Sequence, residues 1–426
     1  MNINQEGYDR RLAVVQGILH QFRLTSTEVT PLAYVEHCPF HFNNFIYKVV
    51  LDSPMFPASF PEDQPGTSKP PPEGVSSLVI RLSNPRAEGL NNANRVENEV
   101  ASLYLARQSL QNSGSSPVVP AVYAWSPCKF HDVPHEEGFG WIMAEFKSGS
   151  DLDAQFPNLS VEERNAVVEQ IAVVLSAIQR VTIPEGATEF GALTFVDGKI
   201  VSGQMPLLKG GPWRSYSALW AAKLQAQLED SENSPLLKGW RTENIRERLD
   251  RFLANGVDKV LDEIDVTQRV LVHGDLTMNN MLYDNSTKLI TAVLDFDWSS
   301  ITHPADEFLT GLWDIGGGIH EENEFMQDYI LTGNFDNAPP GLSGEDVQKW
   351  EVAKTWDNAL AQRKAMRPCG IKGVRGIQEL RSLESIICPF HLSNEVMLKR
   401  MSEDVQAEKK VELGEDIKKW LDVHGF

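Results

Sequence analysis

Two early runs, FIYKVVLD (Phe45–Asp52) and SLVIRLSN (Ser77–Asn84), crowd β-branched and aromatic side chains together and predict strands. Between them lies SPMFPASFPEDQPGTSKPPPEG, proline-rich and far longer than a hairpin loop, so 52–76 is expected to be a disordered insertion. The period then changes. In NRVENEVASLYLARQ (Asn94–Gln108), Val96, Val100 and Leu103 fall at i, i+4 and i+7, the apolar stripe of a helix. Glu99 lies on that same face, and a carboxylate turned inward needs a partner. GFGWIMAEFKSG (Gly138–Gly149) reads as a strand running into a polar, glycine-containing link, where one lobe can end and another begin.

Helical periods dominate from there. Ser160 and Glu163 have the spacing of a capping box, and Val167, Val168, Ile171, Val174, Leu175 and Ile178 form the stripe behind it. Further helical patterns cover 241–263, 346–366 and 393–421. No internal repeat is present. A mostly β segment, 1–146, followed by a larger helical one, 147–426, predicts an α+β architecture in two lobes. The length of 426 residues agrees, since single cores stop growing near ~250–300 residues.

Composition narrows the setting. With 42% hydrophobic and 23% charged residues the chain is an ordinary soluble protein. A net charge of −20 disfavours nucleic acid and anionic membranes as partners. No run approaches the ~18 apolar residues of a membrane span, and MNINQEGYDRRLAVVQ carries charges where a signal peptide needs an apolar stretch. Cys38, Cys128, Cys369 and Cys388 are scattered, without the paired spacing of a zinc site or disulfide framework, which suits a reducing compartment. The expected location is cytoplasmic.

The candidate chemistry lies where the apolar pattern is broken. LVHGDLTMNNML (Leu271–Leu282) sets a His, an Asp and two Asn into an apolar run, and VLDFDWS (Val293–Ser299) adds two carboxylates. If MLY and KLITAVL pair across the turn DNSTK, Asn280 and Asp295 meet at one end of a hairpin, with Asp275 on the loop before it. Asn280 and Asp295 supply two hard oxygen donors, which suit Mg²⁺ that also holds phosphate oxygens. Asp275 stays free to orient and deprotonate a hydroxyl, the division of labour of phosphoryl transfer.

HGDLTMNN and LDFDW resemble the catalytic loop and metal segment of the aminoglycoside phosphotransferase family, itself similar to choline kinases and protein-kinase-like in fold. Its pattern is H-G-D-x-x-x-x-N followed by an apolar-Asp element. The resemblance implies Asp275 as base, His273 as the brace of the loop, Asn280 and Asp295 as Mg²⁺ ligands, and ATP as donor to a small-molecule acceptor. FNNFIYKV resembles the nucleotide-loop strand, with Asn44 at the family's Asn. LVIRL places Arg81 where kinases carry the phosphate-binding Lys, and Glu99 matches the helix carboxylate that pairs with it. PVVPAVYAW and WIMAEFKSG resemble the approach to the adenine hinge, which puts Glu145 and Phe146 at the nucleotide. HPADEFL resembles the segment after the metal Asp. The whole pattern looks most like divergent fungal members.

Three departures stand out. The loop CPFHFNN (Cys38–Asn44) has no glycine with which to wrap phosphates. Arg81 keeps the charge of Lys but changes its donor geometry. Asp297 stands where a protein kinase has the Gly of Asp-Phe-Gly, and reads as structural more readily than as a second metal ligand. Asp306 and Glu307 are open to two readings, facing a cationic acceptor or capping a helix. Trp313, Trp350 and Trp356 read as core before substrate box. The alternatives to a small-molecule kinase are a protein or fructosamine-type kinase, and a nucleotide-binding pseudokinase with a regulatory role.

Overall fold

The computed structural model describes residues 3–33, 38, 40–60, 63–129, 138–319 and 324–426. The chain opens with helix α1 (Tyr8–Gln21) and strands β1 (Ser26–Leu32), β2 (Asn44–Met55) and β3 (Val75–Ser83). Helix α2 (Arg95–Asn112) follows, then β4 (Val122–Ser126) and β5 (Trp141–Glu145). The five strands form one antiparallel sheet in the order β1-β2-β3-β5-β4. Both strands anticipated from β-branched content are its central members. α1 lies on this sheet through Val15, Ile18 and Leu19, in a cluster with Tyr47, Val49, Leu78, Ile80 and Met143.

Gly149 carries the chain out of the sheet lobe at φ +150, where a Cβ would come within 2.6 Å of Thr291 Oγ1. β6 (Ser150–Asp151), α3 (Leu152–Gln155) and α4 (Val161–Gln179) come next. The Ser160–Glu163 capping box forms in both directions at the start of α4. β7 (Ala192–Val196) and β8 (Lys199–Gly203) make a hairpin, then α5 (Tyr216–Asn233), α6 (Ile245–Asn255) and α7 (Val257–Val260) lead to β9 (Val270–Val272). β10 (Met281–Asp284) and β11 (Leu289–Val293) pair antiparallel with Met281 opposite Val293, as the DNSTK turn predicts. β12 (Ser300–Thr302) returns to β9. The rest is helical: α8 (Ala305–Thr310), α9 (Glu324–Thr332), α10 (Gly344–Gln362), α11 (Val374–Ile387), α12 (Phe390–Ser393), α13 (Glu395–Leu398) and α14 (Glu403–Val423). The fold is α+β and protein-kinase-like, a sheet lobe joined to a helical one. Among the described residues no helix is long and apolar enough to cross a membrane.

Three expectations are corrected. The proline-rich stretch expected to be a disordered insertion at 52–76 has built structure wherever it is described, leaving aside Pro61 and Glu62, which lie outside the described residues. β2 runs on to Met55, and Met55 and Phe60 are 0% and 6% exposed in the sheet-lobe core. Gln64 donates to the Trp125 carbonyl at 2.8 Å and accepts from its N–H at 3.1 Å. Pro54 lies within β2, and the prolines of this stretch do not stop Met55 and Phe60 from packing. The helix over 241–263 is two helices broken at Gly256, against whose bare Cα the Phe252 ring lies. The helix over 393–421 is three pieces: Asn394 accepts from the N–H groups of Val396 and Met397, and Ser402 caps α14. Each side-chain acceptor restarts the helix instead of letting it continue.

Candidate active site

The H-G-D turn follows β9 directly. Gly274 has φ +86, and a Cβ would meet the Trp298 carbonyl oxygen at 2.6 Å, so only glycine fits. His273 is fully buried beneath it, its ring 4.3 Å from that of Phe296. Its Nε2 lies 3.0 Å from the Leu294 carbonyl, which can only accept, so Nε2 carries the proton. Nδ1 is then free to accept from the Asp275 N–H at 3.3 Å. Burial lowers its pKa from 6.5 to about 4, so the ring is neutral at neutral pH. One histidine thus joins the Asp275 backbone to the strand end that carries Asp295.

Asn280 closes the loop. Its Nδ2 donates to the Asp275 carbonyl at 2.9 Å and to Asp275 Oδ2 at 2.8 Å, leaving Oδ1 for another partner. Its own carbonyl accepts from the Leu294 N–H at 2.8 Å, so the hairpin brings Asn280 and the Asp295 segment together. Burial raises the Asp275 pKa, Asn280 opposes the rise, and the charge of Asp295 adds to it. Asp295 itself is left-handed, φ 62 and ψ 60, a conformation costly for a non-glycine residue and concentrated at functional sites.

Arg81, on β3, and Glu99, on α2, meet as an ion pair. The inward carboxylate has its partner. The same guanidinium also lies 3.2 Å from Asp295 Oδ1 and 3.1 Å from Asp297 Oδ2. Asp297 is held further by Arg95, through Nε at 2.7 Å and through Nη2, and by Asn44 Nδ2 at 3.2 Å. Burial alone would raise the Asp297 pKa, but Arg95, Arg81 and the Asn44 amide bring it to about 2. Burial also works against the Arg81 charge, and Glu99, Asp297 and Asp295 together hold its pKa above the ordinary value. Two guanidiniums here face three carboxylates. The surplus negative charge shows at Glu99, which burial lifts to about 8 despite Arg81.

This arrangement fits a divalent cation. Asp295 Oδ1 is buried without a hydrogen-bond partner, and Asn280 Oδ1 is a second hard oxygen at the same hairpin end. Among the described residues no three His, Cys, Asp or Glu side chains form a metal cage. An ion at Asp295 would therefore complete its shell with phosphate oxygens and water, the habit of Mg²⁺. Arg81 Nε is likewise a buried donor without a hydrogen-bond partner, while its Nη2 faces Asp297.

Glu307 and Asp306 were singled out in the sequence with two readings open, whereas Arg95, Asn4 and Asn84 were not picked out there. Glu307, on α8, accepts from the His273 N–H at 2.7 Å and the Gly274 N–H at 3.2 Å. Burial outweighs those bonds and raises its pKa to about 7. Asp306 accepts from Tyr216 Oη at 2.6 Å and from Thr302 Oγ1 at 2.5 Å. Both acidic residues are buried and bonded to protein donors. Arg95, one turn before Glu99 on the same face of α2, has the spacing that could have revealed it. The glycine-free loop, of which Pro39 lies outside the described residues, is tied from outside. Asn4 donates to the Phe40 carbonyl at 2.8 Å and accepts from the Phe42 N–H at 2.7 Å. Asn84 donates to the Phe42 carbonyl at 2.7 Å, and Arg95 to that of Asn43 at 2.8 Å. Glu145 is paired with Arg107 at 3.1 Å and Lys147 at 2.8 Å, and Lys48 sits 4.4 Å over the Phe146 ring. The Glu145 carboxylate is therefore committed to protein cations. Trp350 and Trp356 are core, whereas Trp313 is 51% exposed.

A profile described as APH, phosphotransferase enzyme family, matches residues 72–341, well over half of the chain. The chain belongs to the phosphotransferase enzyme family. The match begins just before β3 and ends before α10, so it contains Arg81, Glu99, Asp275, Asn280 and Asp295 but not Asn44 or its loop. Comparison with curated proteins gives no match. Among solved structures, a candidate aminoglycoside phosphotransferase from Ralstonia eutropha shares the fold at 15% identity and TM-score 0.50, covering 96% of this chain and 98% of that one. A thermostable mutant of the aminoglycoside phosphotransferase APH(4)-Ia, solved with AMP-PNP and hygromycin B, matches at 13% identity and TM-score 0.44, with coverages of 96% and 98%. The gentamicin complex of APH(2")-IIa matches at 13% identity and TM-score 0.46, with coverages of 94% and 95%.

Proposed function

We propose that this phosphotransferase moves the γ-phosphoryl group of ATP to a hydroxyl of a small molecule. The observation that carries the reading is the Asn280 amide holding Asp275 Oδ2 at 2.8 Å, at the hairpin end where Asp295 Oδ1 is buried with Arg81 Nη1 3.2 Å away. Family membership and the neighbours' complexes with AMP-PNP and hygromycin B or with gentamicin support the same reaction class.

Asp275 receives the proton of the acceptor hydroxyl as its oxygen attacks the γ-phosphorus and the bond to the β-phosphate oxygen breaks. Its raised pKa makes it a stronger base than an exposed carboxylate. Asn280 fixes the carboxylate, and His273 and Glu307 fix the backbone beneath it. Arg81, positioned by Glu99, puts its positive charge beside Asp295, where the phosphates would lie. Asn44 steadies the nucleotide loop through Arg95 and Asp297, and the strand end at Glu145 and Phe146 receives the adenine. Asn280 Oδ1 and Asp295 would hold Mg²⁺, which neutralises phosphate charge when bound.

The test is ADP release by the purified chain with MgATP, with and without a panel of amino alcohols, sugars and aminoglycosides. Acceptor-stimulated release is expected, and Asp275→Asn should lower kcat by ~10²–10⁴ with nucleotide affinity unchanged. Binding of ATP with no turnover on any acceptor favours the regulatory pseudokinase. Unchanged kcat in D275N removes Asp275 from the reaction.

A further inference from the structure

Beside the catalytic loop, on the helical lobe, lies a cavity of about 510 Å³, within the usual range for small-molecule sites. Asp314 connects the two. One carboxylate oxygen accepts from the Met278 N–H, three residues after Asp275, and the other is buried in the cavity wall without a partner. Asp275 and Asp153 act on the same carboxylate through space, so this end of the cavity is polar and negative. The remaining wall is mixed, with Arg164, Glu345, Gln348 and Lys349 beside an apolar part. Phe156, Ile315, Met326 and Val352 line it, and Trp313 borders it half exposed, an unusual position for so large an aromatic side chain.

The other charges are already used. Arg164 donates to the carbonyls of Phe156 at 3.2 Å and Pro157 at 2.6 Å and to Gln348 at 3.1 Å. Lys349 pairs with Glu345 at 3.5 Å. A compound with several ammonium groups would find the Asp314 oxygen and, at the exposed rim, Glu345 shared with Lys349. Its remaining charges would meet the cations Arg164 and Lys349 and the apolar part of the wall, at high cost where they are buried. An amphipathic molecule loses nothing there: its apolar body leaves water against Trp313 and its neighbours, and its polar end completes Asp314.

We propose that this cavity takes the phosphoryl acceptor, and that the acceptor is an amphipathic alcohol with an apolar or aromatic body and no more than one positive charge. Its polar end bonds the free Asp314 oxygen, and its body covers Trp313, Phe156, Ile315, Met326 and Val352. The inference rests on the phosphotransfer reading and narrows its substrate class.

Two measurements on the full chain separate the claims. Calorimetric titration with 4-phenylbutan-1-ol, without nucleotide, tests the cavity; ADP release with MgATP on adding that alcohol, or kanamycin, tests the chemistry. Binding is expected, with at least about tenfold loss in Trp313→Ala, whose exposed side chain makes the variant safe to fold, and in Val352→Trp, which fills the space. The alcohol should stimulate ADP release and kanamycin should not. Absent binding, or binding that both variants leave unchanged, overturns the cavity assignment whatever the enzyme turns over. Phosphorylation of kanamycin at comparable kcat/KM overturns the substrate class while upholding phosphotransfer. Binding sensitive to both variants, with no ATP turnover on any acceptor, overturns the phosphotransfer reading and with it the acceptor role.

Discussion

Two buried titratable residues beneath the catalytic loop pull its stability in opposite directions with pH. His273 falls from 6.5 to about 4 on folding, because burial disfavours the cation. Its contribution is therefore complete above pH 6.5 and is lost as pH falls towards 4, where the unfolded chain binds a proton the folded one refuses. Glu307 rises from 4.5 to about 7, so its contribution is complete below pH 4.5 and is lost as pH rises through 7. Unfolding midpoints in urea across this range should show both slopes: His273→Asn should flatten the acid side and Glu307→Gln the neutral side. An H273N profile parallel to wild type would mean that the ring is not neutral in the fold. The Arg81–Glu99 pair allows a separate check on function. R81A and E99A should each lower kcat/KM, and the double variant should lose much less than the sum because the residues touch. Additive losses would mean that Glu99 does not position Arg81 for catalysis.

The proline-rich connection after β2 behaves as part of an element. Met55→Ala should cost ~2–5 kcal/mol and Phe60→Ala ~3–5 kcal/mol, since both empty filled space in the sheet-lobe core. Val196→Ala, at an exposed position, should stay within ~0.5 kcal/mol. Melting temperatures decide it: if M55A and F60A melt with wild type, the segment does not contribute to the core. The lesson concerns which signals are local. The strands around Phe45 and Ser77, α2 with its inward Glu99, the capped α4 and the β10–β11 hairpin were legible because each shows its own period or turn chemistry. α1, β1, α5 and α11 went unread, and α6–α7 and α12–α14 were each taken as one helix. Their limits depend on a ring packed on Gly256 and on Asn394 turning back to the backbone, contacts that residue type alone does not declare. In the site, Asp275, Asn280 and Glu99 stood out as polar groups in apolar patterns, and Arg81 through the family resemblance. Arg95, Asn4, Asn84 and Asp314 did not, because their partners lie tens to hundreds of residues away and only the folded chain pairs them.

Those long-range partners decide how the two lobes act as one molecule. Asp297 receives Arg95 from α2, Arg81 from β3 and Asn44 from the start of β2, so three elements of the sheet lobe converge on one carboxylate of the helical lobe. Asn98 adds a second tie one turn along α2, donating to the Ser299 carbonyl at 2.8 Å. Where a protein kinase has the glycine of Asp-Phe-Gly, a buried ion pair stands here. The helix bearing Glu99 and the loop bearing Asp295 should therefore move together or not at all. Removing one partner tests this: Asp297→Ala leaves Arg95 buried without its carboxylate and should cost ~3–5 kcal/mol in stability, and Arg95→Ala, which leaves Asp297 to Arg81 and Asn44, should cost less. The double variant R95A/D297A should lose clearly less than the sum. Function should follow the same coupling. R95A leaves Asp275, Asn280 and Asp295 in place but frees α2, so KM for ATP should rise about tenfold, ~1.4 kcal/mol, with a smaller change in kcat. Unfolding midpoints and steady-state kinetics on the three variants are sufficient. Strictly additive stability losses would show that the pair does not act as a unit, and an unaltered KM for ATP in R95A would show that the lobes hold their register without it.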